Sequence, residues 1–168
     1  MKVLLISDSH GLENELRQVA EAYTGKVDLM IHCGDSELPA VHEVLENFLV
    51  VKGNCDLENF PEDLLEEAGE FKLYATHGHL YNVKMSLANI SYRADEVGAN
   101  IVCFGHSHLA GSELIDGILM INPGSFRLPR GRKERTYCIL ELINRNVSVI
   151  FYDHEHEKIE QLCYTYTL

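Results

Sequence analysis

Residues 3–10, Val-Leu-Leu-Ile-Ser-Asp-Ser-His, join a short apolar run to two polar side chains that follow it directly. Residues 3–7 predict a buried β-strand, because an uninterrupted aliphatic run of this length is typical of a strand covered on both faces. Asp8 and His10 then stand at the carboxyl end of that strand. The same order of strand and polar residue recurs along the first hundred residues, and it decides the fold class.

Amphipathic stretches separate the apolar runs in this part of the chain. Residues 14–23 predict one helix that ends at Gly25, and residues 41–48 predict a second helix after Pro39. A third helix is predicted over residues 86–98, with Ser86 as its N-cap and Gly98 as its C-cap. Further strands are predicted at residues 29–32, 49–51 and 101–104. Strands that alternate with amphipathic helices indicate βαβ units around a mainly parallel sheet.

The second half of the chain has a different pattern. Residues 63–69 and 71–76 favour a hairpin over a helical turn, and residues 118–121, 137–143 and 147–152 predict strands with no helix between them. A second, largely antiparallel sheet packed on the first would bury these strands. We therefore predict an α/β fold of two mixed β-sheets packed as a sandwich flanked by helices, in α-β-β-α layers, as one domain over residues 1–168, with the functional centre at the carboxyl ends of the first sheet.

Composition excludes several classes of protein. The 14 Lys and Arg residues against 26 Asp and Glu give a net charge of −12, which argues against a broad basic face for nucleic acid. Five cysteines without a CxxC pair fit reduced thiols better than a disulfide framework or a zinc ribbon. The first apolar run is too short for a signal peptide or a membrane span, so we expect a cytoplasmic protein without membrane attachment.

One local exception to the acidic composition lies near the end of the chain. Residues 127–135 hold five basic residues and one acid, Glu134. This segment is either an anion-binding rim that attracts phosphates or a solvated loop.

Potential metal ligands follow five of the predicted strands. Because the carboxyl ends of parallel strands converge on one crevice, we expect these side chains to be neighbours. Carboxylates, an amide oxygen and imidazoles form a mixed ligand set that suits Mn, Fe, Ni, Co or Zn better than Ca or Mg, and two ions fit it better than one. The residues are Asp8, His10, Asp35, Asn54, His77, His79, His106 and His108.

Each of these residues also has a simpler interpretation. Asp8 and Asp35 precede predicted helices, where Asp is often only an N-cap. One histidine of the pair at positions 77 and 79 can act by orienting a ligand or contacting substrate instead of binding metal. We interpret His32 and His42 as structural or surface residues, the cysteines other than Cys55 as small core residues, and residues 154–157 as a solvated tail without a role.

The set of motifs resembles, in order, the metal motifs of the calcineurin-like metallophosphoesterase superfamily. The resemblance spans residues 3–125, and the short chain with Cys55-Asp56 is most similar to the small single-domain bacterial and archaeal phosphodiesterase branch. The motifs are Asp8-Ser9-His10, Gly34-Asp35, Gly53-Asn54, His77-Gly78-His79 and Gly105-His106-Ser107-His108.

This resemblance implies a ligand set and a reaction. Asp8, His10 and His108 would hold one ion, Asn54, His77 and His106 the other, and Asp35 would bridge both, so that Asp35, Asn54 and His77 are the catalytic residues. The implied activity is metal-dependent phosphoester hydrolysis, most often of phosphodiesters, by a hydroxide activated between two metals. Residues 122–125, Asn-Pro-Gly-Ser, would support the site without ligation.

The cofactors and partners implied are two divalent transition-metal ions and a small phosphodiester. Manganese is favoured, with Ni, Fe, Co and Zn as alternatives. No stable nucleic-acid binding is expected, and a homo-oligomer remains open. The rival interpretations are a non-catalytic scaffold, since the fold is similar to that of the phosphoesterase-like subunit of the retromer coat, and an exonuclease, for which the chain is short.

One position departs from the family pattern. Many members carry His directly after the metal-binding Asn, whereas this chain has Cys55. A missing general acid costs about 10² to 10⁴ in rate, most for alkoxide leaving groups, so activated phosphodiesters should be preferred over alkyl monoesters. Asp56 and His79 are the candidates to replace the missing group. The residues expected to contact substrate are Cys55, His79 and Arg127.

Overall fold

Two mixed β-sheets, each covered on its outer face by one helix, form the layers of the computed structural model, which describes residues 1–168. The strands are β1 (Lys2–Ile6), β2 (Leu29–His32), β3 (Leu49–Val50), β4 (Asp63–Ala68), β5 (Phe71–Thr76), β6 (Ile101–Cys103), β7 (Gly111–Ile115), β8 (Ile118–Asn122), β9 (Thr136–Ile143), β10 (Asn146–Asp153) and β11 (Tyr164–Thr167). The helices are α1 (Glu13–Tyr23) and α2 (Ala88–Val97), with short 3₁₀ turns at Glu43–Leu45, His79–Tyr81 and Glu160–Leu162.

Strand order explains how the two sheets are built. The first sheet has the order β11-β10-β9-β1-β2-β3, in which β1, β2 and β3 are parallel and β9 to β11 are antiparallel. The second has the order β4-β5-β6-β8-β7, with β5, β6 and β8 parallel and an antiparallel strand at each edge. The parallel strands of both sheets are those that the polar loops follow.

The core is divided by the pleat of β1. Val3 and Leu5 face the second sheet and belong to a cluster of 20 buried residues between the sheets. Leu4 and Ile6 face the opposite way, toward α1, because successive side chains of a strand point to opposite faces. On the far side of the second sheet, Ile90 of α2 packs with the outward-facing side chains of β5, β6 and β8. The predicted α-β-β-α layering is therefore confirmed.

The assignment of the late strands to a separate antiparallel sheet is wrong. β9 and β10 extend the first sheet, where Leu140 of β9 pairs with Val3, and β8 lies parallel to β6 in the second. The reason is that β1 is buried and needs hydrogen-bond partners along both edges, of which β2 supplies only one.

Other differences concern single elements. The helix predicted at residues 41–48 is only the turn Glu43–Leu45, since Val41 is 94% exposed and does not join the apolar face. Strands β7 and β11 were not predicted. The Ser86 hydroxyl accepts a hydrogen bond from Ala88 N (3.1 Å) one residue before the observed N-cap, Leu87. The β4-β5 hairpin and the left-handed C-cap at Gly98 are confirmed. No helix has both the length and the apolar character needed to cross a bilayer.

Candidate metal centre

The predicted ligands meet where parallel strands of both sheets end. Asp8, Asp35 and Asn54 follow strands of the first sheet, whereas His77 and the pair His106 and His108 follow strands of the second. The prediction that the first sheet alone supplies the centre is therefore wrong. Backbone hydrogen bonds join the loops, from Asp8 N to Gly34 O (3.0 Å) and from Gly105 N to His77 O (3.1 Å).

One group of ligands surrounds the Asp8 carboxylate. Its Oδ1 lies 2.9 Å from His108 Nε2 and 3.9 Å from His10 Nε2. The other ring nitrogens are fixed by neighbours, because His108 Nδ1 bonds to Leu128 O (2.7 Å) and His10 Nδ1 to the Glu37 carboxylate (2.6 Å). Both Nε2 atoms are thereby directed toward Asp8.

A second group surrounds Asp35. Its Oδ2 lies 3.3 Å from His77 Nε2, and His77 Nδ1 donates to Cys33 O at 2.7 Å. The ring centres of His106 and His77 are 5.0 Å apart, and the backbone N–H of His106 donates to Asp8 Oδ2 at 3.1 Å. Ligand atoms of Asp35, Asp8 and His77 lie within 4.8 Å of one another, and so do those of Asp35, His10 and Cys55. Asp35 therefore faces both groups.

Several buried oxygen and nitrogen atoms of these residues are free to bind a metal ion. Asp8 Oδ1, His10 Nε2 and His77 Nε2 are buried, and none of them makes a hydrogen bond of good geometry, although Asp8 Oδ1 lies 2.9 Å from His108 Nε2. Buried polar atoms are almost always partnered, and carboxylate oxygens and imidazole nitrogens are the donor types that divalent transition metals prefer. The residues fit a metal centre.

The electrostatics agree with this interpretation. Burial alone would raise the pKa of Asp8, but the close contact with His108 and the charge of His77 outweigh it and hold the pKa below its usual range. Burial likewise opposes charge on Asp35 and His77, yet their contact lowers the pKa of Asp35 and raises that of His77. The buried carboxylates are therefore stabilised in their charged form by nearby positive charge, which divalent cations would supply.

Strained backbone marks the same residues. Asp8, His10, Asp35, His106 and His108 have φ values between 43° and 63°, and they are five of the ten non-glycine residues with positive φ. This left-handed region costs free energy for residues other than glycine, and such residues cluster at functional sites.

Two glycines allow the loops to approach closely. A Cβ at Gly53 would overlap the Asp35 carboxylate, and one at Gly105 would overlap the Ser7 hydroxyl and lie 2.6 Å from Asp8 Oδ2. A larger residue at either position would displace a ligand.

Asp56 and Glu37 support the site, and neither was predicted in that role. Asp56 accepts hydrogen bonds from Asp35 N (2.8 Å), Ser36 Oγ (3.1 Å), Glu37 N (2.8 Å) and Gly53 N (2.8 Å). It joins the loops after β2 and β3 and is buried, with both carboxylate oxygens accepting hydrogen bonds, which argues against the hypothesis that Asp56 replaces the missing general acid. The signal in the sequence was an Asp two residues after Asn54, which alone does not distinguish these roles.

Residues 122–125 support the site as expected. Asn122 Nδ2 donates to Gly105 O and to Ser107 Oγ, both at 2.9 Å, and Ser125 Oγ donates to Asp8 O at 2.9 Å. These contacts hold the loops that carry His106, His108 and Asp8.

The remaining predicted site residues lie at the rim. Asn54 and Cys55 are exposed, with Asn54 Nδ2 3.2 Å from Cys55 Sγ, while Cys55 N donates to Asp35 Oδ1 at 2.7 Å. Burial, with the nearby Asp35 carboxylate, raises the pKa of the Cys55 thiol to about 11. His79 is half-buried, 5.4 Å from His77 between ring centres. The Arg127 guanidinium bonds to His10 O.

Histidines outside the motifs have contacts of their own. His32 is fully buried, and its Nε2 lies 2.9 Å from the Oγ of Ser9. Ser9 stands between the predicted ligands Asp8 and His10 in the sequence. Burial lowers the pKa of His32 to about 4. His42 caps the turn Glu43–Leu45. His156 bonds to the Tyr137 hydroxyl at 2.7 Å, so the tail at residues 154–157 is anchored, not merely solvated.

The sequence and fold of this chain are similar to those of known proteins. The family model for the calcineurin-like phosphoesterase superfamily domain matches residues 1–145. The chain belongs to this family. A probable metallophosphoesterase of Bacillus subtilis, YsnB, is 56% identical to this calcineurin-like phosphoesterase over 96% of both chains. Phosphodiesterase YfcE of Escherichia coli is 28% identical, covering 89% of this chain and 91% of its own.

Solved structures agree. A predicted phosphoesterase of Streptococcus pneumoniae superposes with a TM-score of 0.95 at 36% identity, covering 99% and 97% of the two chains. Vps29 of Entamoeba histolytica, in complex with Zn²⁺, shares the fold, with a TM-score of 0.79 at 19% identity over 99% of each chain. The predicted family, the two-sheet fold and metal-dependent phosphoester hydrolysis as the activity are therefore confirmed.

Proposed function

We propose that this calcineurin-like phosphoesterase hydrolyses small phosphodiesters with a dinuclear centre bridged by Asp35. The observation that carries the proposal is the position of Asp35, whose carboxylate lies within 4.8 Å of ligand atoms of His77 on one side and of His10 on the other. In this proposal Asp8, His10 and His108 hold one ion, and Asn54, His77 and His106 hold the other. The whole chain, residues 1–168, works as one unit, because the cluster between the sheets draws residues from both.

The chain's own residues set the geometry of the reaction. When bound, two divalent cations supply a water-derived nucleophile at neutral pH and neutralise charge on the phosphoryl oxygens. Asp35 fixes the spacing between the two groups of ligands, and His77 keeps its Nε2 directed inward through the bond to Cys33 O. Arg127, held beside His10, adds positive charge at the entrance. Among the possible ions we favour manganese, since the donor set combines oxygen and nitrogen without a required thiolate.

The preference for diesters rests on the residue after Asn54. Cys55 stands at the rim where many relatives present an imidazole, and a thiol is a poor proton donor to a leaving alkoxide. His79, near His77, is the remaining imidazole that could contact substrate. Activated diesters need little protonation of the leaving group, so they should be the better substrates.

The test combines metal binding with turnover. Chelator-treated wild type should bind two Mn²⁺ per chain by calorimetry and then hydrolyse bis(p-nitrophenyl) phosphate, whereas Asp35→Ala should lose both properties. Asp95→Ala, at an exposed position of α2, is the matched control. A stoichiometry of one ion would overturn the dinuclear proposal. Failure of wild type to turn over with Mn²⁺, Ni²⁺, Co²⁺ or Zn²⁺ would instead favour a scaffold.

The ester preference has its own test. Wild type should show a kcat/KM for bis(p-nitrophenyl) phosphate about 10²-fold or more above that for an alkyl phosphomonoester, and Cys55→His should narrow this difference. Equal kcat/KM values for the two ester types in wild type would refute the preference.

A further inference from the structure

A cavity of about 600 Å³ opens on the outer face of the second sheet, beside the metal centre. The segment before α2, the loop after β6, and the strands β7 and β8 form its walls. Six of its lining residues are apolar: Val83, Leu87, Phe104, Leu109, Ala110 and Met120. A cavity of this size and composition is typical of small-molecule sites.

The cavity and the metal centre share a wall. Ser107 and Asn122 line the cavity and are joined by a 2.9 Å hydrogen bond. Ser107 lies between His106 and His108 in the chain, and Asn122 also holds the Gly105 carbonyl. The cavity therefore borders the loop that carries His106 and His108.

Two cationic side chains line the cavity. Lys84 and Arg130 line it, and neither forms a salt bridge although the protein carries a net charge of −12. Arg130 N donates to His108 O at 3.0 Å, which places Arg130 beside the loop that carries His106 and His108. Glu113, the acidic lining residue, is exposed on β7 and would repel an anion from that side. The charges thus favour a phosphate at the end near Ser107.

We propose that this cavity binds one ester arm of the substrate, a largely apolar group the size of an aromatic ring, while Lys84 and Arg130 contact the phosphate to which it is attached. The inference rests on the proposed function and specifies its substrate class. A methyl arm would leave almost all of the cavity to water, whereas a ring would bury apolar surface against Val83, Leu87 and Phe104.

Gly111 offers a way to fill the cavity without disturbing the core. It lines the cavity on β7, and a Cβ there would meet no atom within 4 Å. The neighbouring Ser112 points between the sheets, where its hydroxyl lies 3.0 Å from the Tyr166 hydroxyl, so a side chain at 111 faces the cavity. Gly111→Phe should therefore occupy the space of the ester arm. Leu114→Phe, exposed on the same strand and outside the cavity, is the matched control.

The test compares two non-hydrolysable probes, phenylphosphonate and methylphosphonate, by calorimetry on Mn²⁺-loaded protein. Wild type and Leu114→Phe should bind the phenyl compound at least about tenfold more tightly, as expected for burial of a ring. Gly111→Phe should reduce this ratio to below about threefold while methylphosphonate binds as before. Leu109→Ser, at a half-exposed apolar wall, should also lower the ratio and serves if the first variant does not fold.

Binding and turnover separate the two proposals. A phenyl preference that Gly111→Phe abolishes supports the cavity even if no phosphodiester is hydrolysed. Hydrolysis of bis(p-nitrophenyl) phosphate by wild type, with equal binding of the two phosphonates or a ratio that neither cavity variant changes, overturns the inference and leaves the proposed function intact. Absence of binding by either phosphonate overturns it as well.

Discussion

Removal of the Asp56 carboxylate should lower the free energy of unfolding and also weaken metal binding. Asp56 is only 6% exposed and accepts four hydrogen bonds, three of them from backbone N–H groups of Asp35, Glu37 and Gly53. Asp56→Ala leaves these donors without an acceptor. The two loops that it joins carry Asp35 and Asn54, so the change acts on predicted ligands without touching them directly.

The magnitude follows from those contacts. Hydrogen bonds to a charged acceptor contribute about 1.5 to 3 kcal/mol each, so four sum to about 6 kcal/mol at the lower end. Glu37 is exposed, and water can reach its N–H, so we expect a loss of about 3 to 5 kcal/mol in the free energy of unfolding. Loss of a residue that orients a ligand typically weakens metal affinity by about 10- to 100-fold.

Urea unfolding of chelator-treated protein and calorimetric titration with Mn²⁺ measure the two effects separately. Asp95→Ala, which removes an exposed carboxylate from α2, should change the unfolding free energy by less than about 0.5 kcal/mol. The reasoning would be refuted if Asp56→Ala lost less than about 1 kcal/mol in the free energy of unfolding and kept its Mn²⁺ affinity, because buried N–H groups without an acceptor destabilise a fold by more than that.

Three further predictions concern buried groups and the rim. Burial lowers the pKa of His32 from 6.5 to about 4 in the folded protein. As the pH falls, the unfolded chain therefore binds a proton at this position first, and the free energy of unfolding decreases by up to about 3 kcal/mol between pH 6.5 and pH 4. His32→Gln should flatten this pH dependence in thermal melts. Gly105→Ala should destabilise by about 1 to 3 kcal/mol and weaken Mn²⁺ binding, unlike Gly111→Ala, where a Cβ meets nothing; equal melting temperatures would contradict this. Arg127→Ala should raise KM for bis(p-nitrophenyl) phosphate severalfold at constant kcat, and an unchanged KM would remove Arg127 from the site.

The sequence was most informative where a strand ends in a polar residue. Asp8, Asp35 and His77 each follow an apolar run that becomes a buried parallel strand, so local pattern and tertiary position agree. The β4-β5 hairpin and the cap at Gly98 were predictable for the same reason, since turn chemistry acts within a few residues.

Long-range pairing was less predictable. Whether β9 joins β1 or the second sheet depends on which buried edge lacks hydrogen bonds, and no periodicity within 137–143 carries that information. Strand β7 was not predicted because Glu113 and Leu114 are both exposed, so this segment lacks the alternation of buried and exposed side chains expected of a half-buried strand. The role of Asp56 depends on backbone donors 19 to 21 residues away, which sequence spacing alone does not reveal.

The geometry of the site explains why its support is so extensive. Five predicted ligands, among them Asp8 and Asp35, hold left-handed backbone conformations that would relax in a free loop. They persist because Gly53 and Gly105 allow the loops to pack, and because Asp56 and Ser125 satisfy the backbone around them. Both sheets contribute loops, so a shift of one sheet against the other would separate His77 from Asp35. Changes that loosen these supports should therefore reduce metal affinity before they unfold the chain.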